Sequence, residues 1–211
     1  MRHVRDCYRY RLRTLTRLAA LTFTALLLQS NPTRAEWYLG AGGGETRTDL
    51  ECDFNISCSS DDKDSGVKVF GGFQPGPNVA IELAYRELGE TRATGMDTLF
   101  GPVNVAVAIE TSVLSIATYG ILPLGNVADV FGQIGLDYWD TQADVTISGS
   151  GSGSVDDTGI GVMAGLGASF NLGKMAAIRV EWERFIDVGE DENIEGFDID
   201  MLSASFLLRF K

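Results

Sequence analysis

Three short turns, Gln74-Pro75-Gly76-Pro77-Asn78, Pro123-Leu124-Gly125-Asn126 and Asn171-Leu172-Gly173-Lys174, place glycines at positions 76, 125 and 173, so the chain is punctuated after 49 and then 48 residues. Each interval suits two long strands and one wider polar loop. Apolar and polar residues alternate between the turns with the period of a strand, and no helical periodicity survives after residue 35. Wide polar segments lie at 49–65, 91–102, 146–157 and 188–196. Eight strands follow, at 36–48, 66–74, 79–90, 103–122, 127–146, 158–172, 176–188 and 196–210. An even number lets the last strand close on the first. Tight turns at one end and long loops at the other give the expected fold class: all-β, an eight-stranded antiparallel transmembrane up-and-down β-barrel.

The faces of these strands carry the membrane argument. In a narrow membrane barrel the outer face is apolar and the lumen holds the polar side chains. Ile178, Val180 and Trp182 share one face, opposite Arg179, Glu181 and Glu183. Val130, Ile134, Leu136 and Tyr138 oppose Asp129, Gln133 and Asp137, and Val79, Ile81, Leu83 and Tyr85 oppose Glu82 and Arg86. From Ile160 to Phe170 the apolar residues alternate with Gly161, Gly165, Gly167 and Ser169. The fourth strand breaks phase: Val105, Val107 and Ile109 oppose Glu110, yet Leu114 and Ile116 fall on the other phase, which points to a bulge in that strand or a wrong boundary for it.

The first 35 residues read differently. Arg2, Arg5, Arg9, Arg11, Arg13 and Arg17 precede an apolar run from Leu18 to Leu28, and Thr33-Arg34-Ala35 puts small residues at the −3 and −1 positions. That order predicts a cleaved secretory signal peptide over 1–35 and a barrel domain over 36–211. The expected mature chain keeps 10 basic and 28 acidic residues, a net charge of −18, which argues against nucleic acid as a partner. His3 is the only histidine and leaves with the signal, so an imidazole base or metal ligand is absent from the mature chain. Cys52 and Cys58 remain, with five residues between them in a polar stretch, and predict one loop disulfide in an oxidising compartment. No further Cys or His completes a zinc site.

The predicted inward charges are Lys68, Glu82, Arg86, Glu110, Asp137, Arg179, Glu181 and Glu183, with Gln133 among them. Eight strands leave an interior that side chains just fill, so these residues are expected to form a plug of ion pairs. The alternative is a narrow path whose excess of acids would favour cations. The acidic stretch Asp49, Glu51, Asp53, Asp61, Asp62 and Asp64 lacks the glutamate that closes a calcium-hand loop and reads as solvated charge, with loose divalent bridging to lipopolysaccharide as the other reading. The Ser/Gly tract at 148–154 reads as a flexible loop.

Two stretches carry a family resemblance. Leu202, Ala204, Phe206, Leu208 and Phe210 alternate with polar residues in a last strand that ends in an aromatic, which resembles the insertion signal of bacterial outer-membrane proteins, although Lys211 follows. Gly66-Val67-Lys68-Val69-Phe70-Gly71-Gly72-Phe73, the turn, and Ala80-Ile81-Glu82-Leu83-Ala84-Tyr85-Arg86-Glu87-Leu88-Gly89 resemble strands two and three of the OmpA-like transmembrane domain family. The resemblance implies a bacterial outer-membrane location, contact with lipid and lipopolysaccharide, insertion by the barrel-assembly machinery, and no cofactor. It implies a structural barrel whose loops meet surface or host molecules. The rival expectations are a small-conductance cation-preferring pore and a soluble periplasmic binding barrel of lipocalin type. An enzyme is not expected: barrels of this size resembling lipid A deacylases and palmitoyltransferases rely on a histidine with a serine.

Overall fold

A computed structural model describes residues 35–48, 59–61, 63–97, 103–147, 151–189 and 196–210. Eight strands form one antiparallel ring: β1 (Glu36–Thr48), β2 (Lys63–Gly76), β3 (Val79–Asp97), β4 (Val103–Leu124), β5 (Ala128–Ile147), β6 (Gly151–Asn171), β7 (Ala176–Val188) and β8 (Phe197–Phe210). Each pairs with its sequence neighbours, and β8 closes on β1, with Trp37 opposite Phe210 and Thr48 opposite Ile199. Closure removes the open edges that lipid would not tolerate. A three-residue strand, Ser59–Asp61, pairs with β3 at Arg92–Thr94.

Apolar residues point outward. Leu166, Phe206 and Ile160 are 59, 49 and 78 % exposed, and Trp37, Leu39, Ile81, Leu83, Leu114, Ile116, Ile134 and Leu136 join them. On β8 the outward row runs from Phe210 through Leu208, Phe206 and Ala204 to Leu202, and then meets Asp200. Such a row spans about 20 Å of membrane depth at a tilt of about 40°. Apart from Thr118, a lone hydroxyl within the belt on β4, the first outward polar or charged residue comes at a matching height on the other strands: Glu45, Ser65, Glu87, Ser112, Asp140, Thr158 and Arg184. Tyr85, Tyr138 and Trp182 sit just inside that boundary, and Trp37, Phe73 and Phe210 lie at the turn end, so both interfaces carry aromatic girdles. A soluble binding barrel would have the opposite sidedness, and that alternative is overturned.

Three expectations need correction. The polar segments at 91–102 and 146–157 are mostly strand: β3 and β4 remain paired up to Asp97 and Val103, and β5 and β6 up to Ile147 and Gly151. Half of the Ser/Gly tract, 151–154, is therefore strand; its backbone pairs although both faces are wet. The bulge expected in the fourth strand lies instead in its partner. Leu88 and Gly89 of β3 oppose the single residue Thr111, and Gly89 has φ +83°, a backbone conformation natural to glycine. β4 itself keeps an unbroken register with β5 from Val105 to Leu124, so Thr111, Val113, Ser115, Ala117 and Tyr119 face the lumen and Glu110 faces outward, exposed to solvent. A second bulge in β7 sets Ile186 and Asp187 against Asp198, and Asp187 has φ +58°. Cys52 and Cys58 lie outside the described residues.

Candidate functional site

Inward positions of β2, β3 and β7 deliver six charged side chains to one level of the lumen, all buried. Lys68 Nζ reaches Glu181 Oε1 at 2.8 Å, Glu183 Oε1 at 3.1 Å and Glu82 Oε1 at 3.5 Å. Arg86 donates to both oxygens of Glu183, from Nη2 at 2.6 Å and Nε at 3.1 Å, and from Nη1 to Ser115 Oγ at 2.7 Å. Arg179 Nη1 meets Glu82 Oε2 at 2.6 Å, and the Tyr119 hydroxyl donates to Glu82 Oε1 at 2.7 Å. Gln133 Nε2 donates to Glu183 Oε1 at 3.0 Å. Three cations face three carboxylates, so the layer is neutral and every one of its charges has a partner. Removing any one partner would leave a buried charge uncompensated, which costs about 3–5 kcal/mol.

Aromatic residues complete the layer. The Arg179 guanidinium lies 4.7 Å from the Phe70 ring centroid, 5.2 Å from Tyr119, 5.3 Å from Phe131 and 5.4 Å from Tyr38. Lys68 Nζ lies 5.0 Å from Phe70, and Arg86 lies 5.3 Å from Phe185. Ring faces thus surround the cations where water would otherwise enter. Toward the loop end an apolar layer follows, made by Val113, Met163, Phe185 and Met201, with Leu88, Trp139, Val188 and Ile199 above it. Threonines cap that layer: Thr46 donates to Leu88 O, Thr48 bonds Thr91, and Thr111 bonds Thr141. A cavity of about 30 Å³ lies beside Arg179, Tyr38 and Tyr119, and one of about 10 Å³ beside Thr48, Thr91 and Thr111. Each holds a water or two at most.

The predicted set is therefore split. Lys68, Glu82, Arg86, Arg179, Glu181 and Glu183 come together. Asp137 also faces inward and is buried, but neither of its carboxylate oxygens finds a hydrogen-bond partner among the described residues. Glu110 is outside the barrel. Phe206, Leu208 and Phe210 all face outward and are exposed. Sequence reasoning missed Tyr119 and Ser115, which the correct phase of the fourth strand would have placed in the lumen, and it missed the aromatic box around Arg179. Above the apolar belt, hydrogen bonds from Arg47 and then Lys63 hold the exposed Glu45 carboxyl below the usual carboxylate range.

The comparisons with known proteins agree with this architecture. Residues 32–211 match the OmpA-like transmembrane domain family. Outer membrane protein A of Shigella flexneri is 25 % identical over 193 residues, covering 90 % of this chain and 53 % of the relative, and that of Salmonella typhi is 26 % identical over the same length and shares. The chain spans about half the length of these curated relatives. Among solved structures, a major outer membrane protein of Thermus thermophilus superposes with TM-score 0.55 at 13 % identity, covering 84 % of this chain and all of that one. Ail, the attachment invasion locus protein of Yersinia pestis, solved with the heparin analogue sucrose octasulfate, gives 0.54 at 12 % identity over 84 % of this chain and all of its own. Neisserial surface protein A gives 0.54 at 13 % identity over 82 and 97 %. With an apolar belt outside, a paired charge layer inside and a family match that runs from residue 32 to the last residue, the chain belongs to the OmpA-like transmembrane domain family of outer-membrane β-barrels.

Proposed function

We propose that this protein is a closed outer-membrane anchor that holds a polyanionic sheet above the bilayer for contact with molecules outside the cell. The observation that carries the reading is the sealed lumen: a neutral layer of ion pairs lies under an apolar layer whose Val113, Met163, Phe185 and Met201 have no exposed surface. An ion crossing it would have to break buried pairs and then pass hydrocarbon. The strands do their outward work above the belt. Glu87–Asp97, Val103–Ser112, Asp140–Ile147 and Gly151–Thr158 continue past the boundary as a paired sheet. In sequence these segments carry Glu87, Glu90, Asp97, Glu110, Asp140, Asp144, Asp156 and Asp157 against the single base Arg92.

The acidic sheet also separates this chain from a sulfate-binding role of the kind suggested by the Ail complex, because a polysulfated ligand would meet repulsion there. Lipid and lipopolysaccharide surround the belt, and the C-terminal row of Phe206, Leu208 and Phe210 suits recognition by the assembly machinery. The narrow cation path keeps one observation in its favour, the carboxylate of Asp137, buried without a hydrogen-bond partner among the described residues. Single-channel recording on the refolded protein in planar bilayers decides between the two. The anchor reading expects no resolvable openings over the physiological voltage range; reproducible cation-selective steps that vanish in Asp137→Asn would replace it with the pore.

A further inference from the structure

β6 rises past its neighbour on one side only. It pairs with β5 as far as Gly151, but its ladder with β7 runs only from Val162 to Asn171. Residues 151–158 are therefore held along one edge, and the other edge has no strand partner among the described residues. All eight are exposed. Their rise above the belt is about 20 Å of tilted strand. A strand edge of this kind presents backbone N–H and C=O groups in the pattern that another extended chain can pair with. Proteins that need to prevent such pairing blunt the edge with lysine, proline or a bulge. Gly151-Ser152-Gly153-Ser154-Val155-Asp156-Asp157-Thr158 contains neither lysine nor proline, and its register with β5 is unbroken.

The charge around the edge sets what can pair there. Asp156 and Asp157 stand on the edge strand itself, opposite Gln142 and Thr141, and Asp140 and Asp144 of β5 flank them, all four aspartates exposed. No basic residue lies in either segment, 140–147 or 151–158. We propose that the free edge of β6 takes up an extended, positively charged polypeptide segment from another molecule, with backbone pairing supplying affinity and the aspartates selecting lysine or arginine. The inference rests on the reading of the projecting sheet as an outward contact surface, and goes beyond it by naming the edge, the binding mode and the partner's charge. A second copy is a poor occupant. Copies inserted in one membrane are related by rotation about its normal, which would set these edges parallel and bring Asp156 and Asp157 beside their own equivalents.

The test uses the complete refolded barrel in lipid nanodiscs and three fluorescent octapeptides: alternating Lys and Val, the same peptide N-methylated at alternate residues, and alternating Glu and Val. Binding is read by anisotropy. The Lys/Val peptide is expected to bind, to weaken about tenfold as ionic strength rises from roughly 0.05 to 0.5 M, and to weaken about fivefold on Asp156→Asn with Asp157→Asn. The N-methylated peptide keeps its charge but loses its pairing edge and is expected not to bind. Equal binding of the N-methylated peptide would overturn strand pairing, and equal binding of the Glu/Val peptide would overturn the charge preference. Absence of binding by the Lys/Val peptide, or self-association of the barrel through this edge, would overturn the inference altogether. Labelling of Ser154→Cys on intact cells by an impermeant maleimide, above the level of the parent protein, checks the outward reading separately: label without peptide binding defeats this inference alone.

Discussion

Gly159 and Gly161 of β6 stand opposite Trp139 and Asp137 of β5, and the match continues down the ladder: Met163 faces Gly135, Gly165 faces Gln133, and Gly167 faces Phe131. At five successive lumen levels one partner is large and the other is glycine. A Cβ on Gly161 would come 2.8 Å from Asp137 Oδ2, one on Gly165 would come 2.8 Å from Gln133 Nε2, and one on Gly159 would fall within the Trp139 ring. Across β1 and β2 the same complementarity sets Phe70 over Gly40 and Tyr38 over Gly72. These inward glycines let bulky side chains lie flat against the adjacent strand in a lumen only one side chain wide. Gly159→Ala is expected to destabilise the barrel by about 1–3 kcal/mol through overpacking, measured by urea unfolding in lipid. In Trp139→Ala the same methyl enters vacated space, so the double variant should be more stable than the sum of the single losses by about 1 kcal/mol or more. Additive losses would show that the ring and the glycine do not share that space.

At the scale of strands, β1 at 36–48 and β7 at 176–188 are legible in the sequence to the residue, because alternation meets charge or a tight turn at both ends. The tops of β3, β4, β5 and β6 are not. Above the belt both faces of a strand are wet, so the apolar pattern that reveals a strand disappears while backbone pairing continues, and Ser152, Gly153 and Ser154 read as loop although they are paired. The misplaced Glu110 has a different cause. Apolar Val105, Val107 and Ile109 read as a lipid-facing row, yet the unbroken register of β4 puts Ile109 on the Thr111 face, where it lines the lumen above the apolar layer, and so turns Glu110 outward. The lumen cluster was legible in kind because strong alternation fixed the faces of β3 and β7; which cation meets which carboxylate depends on the stagger around the ring and was not. Phe210→Ser should lower the amount of barrel recovered from the outer membrane, yet leave the heat-modifiable gel shift of detergent-refolded protein intact, since Phe210 faces outward at the rim and is 47 % exposed. Unchanged membrane levels would remove the insertion role from this residue.

For the molecule as a whole, charge is sorted by environment. Within the membrane layer Lys68, Arg86 and Arg179 are matched one for one by Glu82, Glu181 and Glu183, with the buried Asp137 outside these pairs, while most of the excess acids of the described strands collect above the belt. Balance inside is what a low-dielectric interior demands, and net charge outside keeps the exposed sheet solvated. This sorting depends on one assignment, that the lipid touches the faces described as outward. The chain's three tryptophans report on it directly. Trp37 is 63 % exposed at the turn end of the belt, Trp182 faces outward near its upper boundary, and Trp139 is 2 % exposed inside the lumen. In variants that keep one tryptophan at a time, refolded into bilayers whose acyl chains carry bromine, the fluorescence of Trp37 and Trp182 should be quenched and that of Trp139 should persist. Quenching of Trp139 with Trp37 and Trp182 unaffected would contradict the account.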